Sequence, residues 1–147
     1  MISYIRPLAI LSAVAFILHL IWERLHIQLY TGYEALEGIL PVYMLATFGD
    51  VMYTLLAVLV YTLLKRDSRW FLNARAVDFA CLALIGLGIA IFVEYKAMLL
   101  MRWEYLPGMP LIFGYGLSPL VQMTVLLPTS VYITTRVERY FRGRISS

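Results

Sequence analysis

Four apolar stretches, at residues 7–26, 41–64, 77–101 and 118–135, take up most of this 147-residue chain. As helices rising 1.5 Å per residue, each can cross a hydrocarbon layer about 30 Å thick. Composition agrees: 62% of residues are hydrophobic and only 14% charged, with a mean hydropathy of +0.80. Soluble domains carry roughly a quarter charged residues, so lipid is the solvent this chain is written for. The expected fold class is all-α, a four-helix transmembrane bundle forming one integral-membrane domain over residues 1–147.

Local signals place the helix starts. Pro7 and Pro41 suit a first helical turn, where a missing N–H costs little, and Ser118–Pro119 reads as an N-cap followed by proline. Pro128 falls inside the last span, where it predicts a kink. The run after Arg6 continues to Trp22 without a small-residue cleavage site, so it reads as a retained helix. Positive charge sets the orientation. Arg6, Lys65, Arg66, Arg69, Arg75, Arg136, Arg139, Arg142 and Arg144 fall on one side of four spans, and Arg24, Lys96 and Arg102 on the other. Nine against three predicts cytoplasmic termini and a multi-pass protein of the cell inner membrane. Span-end placement of the basic residues also explains a pI near 9.1 through lipid headgroups, with no nucleic acid as partner. Lone Cys81 excludes an internal disulfide and a CxxC motif. There is no GxGxxG or P-loop, and no motif calls for a cofactor.

What remains is a polar stripe on each span. His19, Glu23 and His26 lie within about 60° of one another on a helix, with Ser12 below. The second span offers Tyr43, Thr47, Asp50, Thr54 and Tyr61, the third Glu94 above the small residues Ala83, Gly86, Gly88 and Ala90, and the fourth Ser118, Gln122, Thr129 and Tyr132. Ionisable groups in lipid turn towards protein or a wet cavity, so the stripes should share one axis. Helical rise puts His19 and Asp50 at similar depth. The expected result is a polar pocket opening outward, floored by His19, Asp50 and Gln122. Trp22, Trp70, Trp103, Tyr30, Tyr33 and Tyr105 fit interfacial aromatic belts.

Three chemistries suit these groups: acid–base work on an apolar substrate, metal binding by His19, Glu23 and His26, or a proton path. The histidines are about 10 Å apart along the axis by helical rise, which speaks against one metal, and the inner half offers too few polar groups for a path. A blander reading makes His19 and Asp50 a buried pair that fixes helix register. The proline-punctuated segment Arg102–Pro110 reads as either a lid or a connector lying among headgroups.

His19, Trp22–Glu23, Leu29–Tyr30–Thr31, Gly49–Asp50, Glu94, Trp103, Tyr105, Met109–Pro110, and Gly116–Leu120 through Gln122 resemble the signature of a group of small, uncharacterised four-span bacterial integral membrane proteins. More locally, His19-x-x-x-Glu23 and Gly49–Tyr53 are similar to elements of the emopamil-binding sterol isomerases, a family that moves a sterol double bond through a carbocation. That likeness implies carboxylate and histidine chemistry on a lipid. The expected function is an acid–base membrane enzyme (isomerase, cyclase or hydratase) acting on an isoprenoid or other lipid. His19, Glu23, Asp50 and Glu94 would be catalytic, and Trp22, Tyr53, Trp103 and Gln122 would contact substrate. Membrane lipid is the expected partner, and a homo-oligomer is compatible with the chain. The alternative is a non-catalytic subunit or binding protein whose pocket holds a metal, small ligand or partner helix.

Overall fold

A computed structural model describes residues 5–36 and 38–145; Glu37 and both chain ends lie outside that range. Among the described residues four helices are long and apolar enough to span a membrane: α1 (Ile5–His26), α2 (Val42–Lys65), α3 (Ala76–Leu99) and α4 (Leu117–Ile145). They form a four-helix bundle, and the protein is a multi-pass membrane protein. Leucine, isoleucine and phenylalanine cover the outer surface, as lipid solvation requires.

The helices neighbour one another in the order α2–α1–α4–α3, and the seam between α2 and α3 is the most weakly packed. Buried residues on α1 (Pro7, Leu11, Ala15, His19, Glu23) and α3 (Asp78, Leu82, Gly86, Ala90, Glu94) recur every fourth position. Such rows form the i±4 ridges through which helices interlock. Where α3 meets α4, a Cβ on Gly86 would collide with the backbone carbonyl of Met123, so glycine there sets the helix separation. Gly88 has open space around it and takes no part.

Two antiparallel strand pairs shape the end of the bundle away from the termini, here the distal end. β1 (Tyr30–Thr31) pairs with β2 (Glu104–Tyr105), and β3 (Leu111–Ile112) with β4 (Tyr115–Gly116). The segment after α3 is therefore stitched to the end of α1. Gly32, at φ +80°, turns the chain out of β1 beside the Trp103 backbone.

Several expectations are corrected. α4 does not stop at Thr135; it runs through Pro128 to Ile145. The extension persists because Glu138, fully buried, accepts two hydrogen bonds from Arg6, each 2.8 Å, and docks on the start of α1. Thr129 and Tyr132 are not on the inward stripe. Tyr132 is 45% exposed, and the buried row on α4 runs through Gln122, Leu126, Ser130, Thr134 and Glu138 instead. A four-residue repeat advances 400°, so that row drifts around the helix, which fixed-phase reasoning misses. Trp70 is a core residue, 3% exposed, with Tyr61 edge-on and Nε1–H donated to Thr62 Oγ1 at 2.9 Å. Helix α4 begins one residue before Ser118, whose hydroxyl reaches across to α1 rather than serving only its own helix.

Candidate functional site

Beside the α2–α3 seam, in the distal half, lies a half-open cavity of about 440 Å³. Much of its wall is apolar, from Val42, Leu45 and Ala46 on α2, Ala90 and Val93 on α3, and Met123 on α4. Into the same space come Glu23 and His26 from α1, Asp50 and Tyr53 from α2, Glu94 from α3 and Gln122 from α4. Tyr30, Tyr33, Arg102 and Trp103 line it from the connecting segments. Of the residues expected to touch substrate, Tyr53, Trp103 and Gln122 face the cavity. Trp22 does not: its Nε1–H is turned to Ser118 Oγ at 3.2 Å. Of the four expected catalytic residues, His19 stands behind the wall, with no exposed surface, and the three carboxyl groups line the space.

Gln122 joins two of the carboxyl groups. Its amide nitrogen lies 2.8 Å from Glu23 Oε1, 2.8 Å from Asp50 Oδ2 and 3.1 Å from His19 Nδ1. An amide nitrogen has two hydrogens and serves two of these three. Donating to both carboxyl groups leaves His19 Nδ1–H to donate to Asp50 Oδ2, 3.3 Å away. His19 Nε2 then accepts from Thr54 Oγ1 at 3.4 Å. On the other side, His26 Nε2–H donates to Glu23 Oε2 at 3.2 Å, and His26 Nδ1 accepts from Ser118 Oγ at 2.7 Å. Every hydrogen in this network is directed at Glu23 or Asp50, or at an imidazole that in turn donates to one of them. Asp50 keeps 17% of its side chain exposed, so the network reaches the cavity surface.

Glu94 stands apart on the α3 wall. Tyr105 donates its hydroxyl to Oε2, from the strand that β1 holds in place. Trp103 interacts with the same carboxyl group through its buried Nε1–H, which makes no hydrogen bond of regular geometry among the described residues. The Tyr30 ring packs edge-on against Trp103 at 6.0 Å and tilted against Tyr105 at 5.6 Å. Burial first, then the nearby Glu94 charge, pushes the Tyr30 phenol up; burial and its bond to Glu94 do the same for Tyr105.

Among the described residues no three His, Cys, Asp or Glu side chains converge as metal ligands. His26 pairs with Glu23 and His19 with Asp50, so the proposed triad is split between two contacts. A second polar cluster at the terminal end is not anticipated by the stripes. There Asp78 Oδ1 accepts from Tyr61 and Lys65, both at 2.7 Å, and Oδ2 from the Arg75 N–H at 2.7 Å. An acid in the first turn of a helix was the available signal. It fastens α2 to α3 where the cavity is absent. Compared with known protein families, curated proteins and solved structures, the chain matches none.

Proposed function

We propose that this is an acid–base enzyme of the cell inner membrane, with cytoplasmic termini, acting on an isoprenoid or other apolar lipid. One observation carries the reading. An apolar cavity, open along a weakly packed helix seam, holds three carboxyl groups, two of them tied to histidines. A hydrogen-bonded cluster serving only to fix helix register needs no such space. The volume falls within the roughly 300–1,000 Å³ usual for small-molecule sites.

Double-bond migration illustrates the chemistry such a site supports. A carboxylic acid of the Glu23–Asp50 pair adds its proton to one alkene carbon, giving a carbocation. Its conjugate carboxylate and the Tyr30, Tyr53 and Trp103 rings stabilise the positive charge. Removal of a proton from the adjacent carbon by the partner carboxylate restores a double bond and leaves the enzyme's proton count unchanged. Both carboxyl groups meet at the Gln122 amide nitrogen, so the proton can pass back between them with little movement. His19, behind Asp50, is a positioning residue in this scheme. The local likeness to sterol isomerases points the same way as an analogy.

The test compares membrane lipids from cells lacking the gene and complemented with wild type, Glu23→Gln or Asp50→Asn. Each variant should lower turnover about 100-fold or more, the usual share of general acid–base catalysis, while the thermal midpoint stays close to wild type. Identical lipid profiles in all strains, with variants neutral or stabilised, would favour the non-catalytic alternative, since an uncharged group is cheaper to bury.

A further inference from the structure

We propose that Ser118, His26 and Glu23 form a nucleophile–base–carboxylate triad, giving the protein a second activity: hydrolysis of an acyl ester of a membrane lipid. Ser118, the second residue of α4, donates its hydroxyl to His26 Nδ1 at 2.7 Å, and His26 Nε2–H points to Glu23 Oε2 at 3.2 Å. Trp22 Nε1–H can only donate. At 3.2 Å it takes a lone pair of Ser118 Oγ and leaves the hydroxyl hydrogen facing His26. Trp22 and Glu23 stand four and three residues before His26, so one face of α1 presents both partners of the serine and the carboxyl group behind the imidazole. The Tyr30 ring packs edge-on against that imidazole at 5.3 Å. A mere tie between α1 and α4 would be complete with the Trp22–Ser118 bond. An imidazole backed by a carboxyl group is what makes a hydroxyl nucleophilic. The double-bond chemistry assigns no step to Ser118 or His26. Glu23 meets the two networks with different oxygens, Oε1 at Gln122 and Oε2 at His26.

Depth selects the substrate. From Glu138, which meets Arg6 at the terminal end, back to Ser118 the helix rises about 30 Å. That is the thickness of a hydrocarbon layer, so the hydroxyl sits where hydrocarbon gives way to headgroups, the level of glycerolipid ester carbonyls. Ser118 is half-buried, and its partner His26 and neighbour Pro119 both line the cavity, whose apolar wall suits an acyl chain. Ser118 Oγ bonds to the ester carbonyl carbon as its proton passes to His26 Nδ1. The bond from that carbon to the alcohol oxygen then breaks, and His26 returns the proton to the departing oxygen. Water at the boundary repeats the sequence on the acyl-serine, giving its proton to His26 and thence to Ser118 Oγ as the fatty acid leaves. Glu23 is a positioning residue, facing the imidazolium that forms at each step. The Ser118 N–H belongs to the first turn of α4, where N–H groups lack acceptors within the helix, and is available to the developing oxyanion.

An alkyl fluorophosphonate tests the triad, because it modifies only an activated serine: a Ser118 O–P bond forms, fluoride leaves and His26 takes the proton. Full-length protein in phosphatidylglycerol nanodiscs would be treated with this probe. The adduct would be counted by intact-protein mass spectrometry and located by peptide mapping. One adduct is expected, on Ser118, and none after heat denaturation. Ser118→Ala should take up no probe, while Ser12→Ala should match wild type. His26→Gln should slow labelling about 100-fold or more, the usual share of general-base catalysis. Glu23→Gln should slow it too, and Glu23→Asp, which restores the charge, should recover part of the rate at an unchanged thermal midpoint. Wild type should also release fatty acid from the nanodisc lipid and stop once the probe is bound. No adduct on Ser118 in folded wild type overturns the triad whatever the variants do, and so do equal labelling rates in wild type and His26→Gln. Labelling at Ser118 without fatty-acid release overturns the lipid ester as substrate. Both readouts are blind to double-bond migration, so failure of that reading leaves them standing.

Discussion

Gln122 is the residue on which most of the buried polarity depends. Its amide nitrogen contacts Glu23, Asp50 and His19 together, and among the described residues it alone draws the two carboxyl groups onto one nitrogen. Replacing it with leucine keeps the volume and takes one donor from each carboxyl group, leaving each with its histidine. Gln122→Leu should therefore lose about 3 kcal/mol or more, read as a fall in the thermal midpoint in detergent. Tyr105 offers a pH test. In the unfolded chain a phenol titrates near 10, and in the fold both Tyr30 and Tyr105 hold their protons longer. The folded state then binds more protons than the unfolded one above about pH 10. Stability present below that pH should be lost as pH rises beyond it, and less steeply in Tyr105→Phe, measured by thermal unfolding across pH 8–11.

At the scale of elements, close approach of α3 to α4 rests on one missing side chain. Gly86→Ala would push a methyl into the Met123 carbonyl, and should cost about 1–3 kcal/mol as overpacking does. Gly88→Ala, two residues on in open space, should be neutral or gain up to about 1 kcal/mol from helix propensity. Paired thermal melts of the two variants decide the matter. The contrast also shows what the sequence discloses. All four small residues of α3 are visible in it, but which one touches a neighbour depends on how α4 crosses, and that is a tertiary property. The stripes of α1 and α2 were legible because the buried rows keep nearly constant phase over the short interval from His19 to His26 and from Thr47 to Thr54. On α4 the row drifts over sixteen residues, so Gln122 was found and Ser130, Thr134 and Glu138 were not. Tyr105 and Trp103 owe their places to pairing between β1 and β2, across a separation no local pattern encodes.

For the molecule as a whole, hydrophobicity alone predicts the number of crossings, and the basic residues predict an orientation that reporters can test. Reporter fusions after Ser147 and within Lys65–Arg69 should read as cytoplasmic, and one near Glu37 as external. A periplasmic reading at the C-terminus would mean a miscounted span. The terminal end is tied by Arg6–Glu138 between α1 and α4 and by Tyr61 and Lys65 on Asp78 between α2 and α3. Towards the distal end, α2 and α3 border the cavity instead.

That one-sided fastening makes the bundle resemble a clothes-peg, gripped at one end with its jaws apart at the other. In a bilayer, the jaws open into a single leaflet. Under the proposed function, a lipid of that leaflet would slide sideways between α2 and α3, and its polar end would never have to leave the headgroup layer. A lipid of the opposite leaflet would meet the Asp78 clasp and have to turn over first. Such a fold would sort its guests by the face of the membrane they occupy before any side chain inspects them.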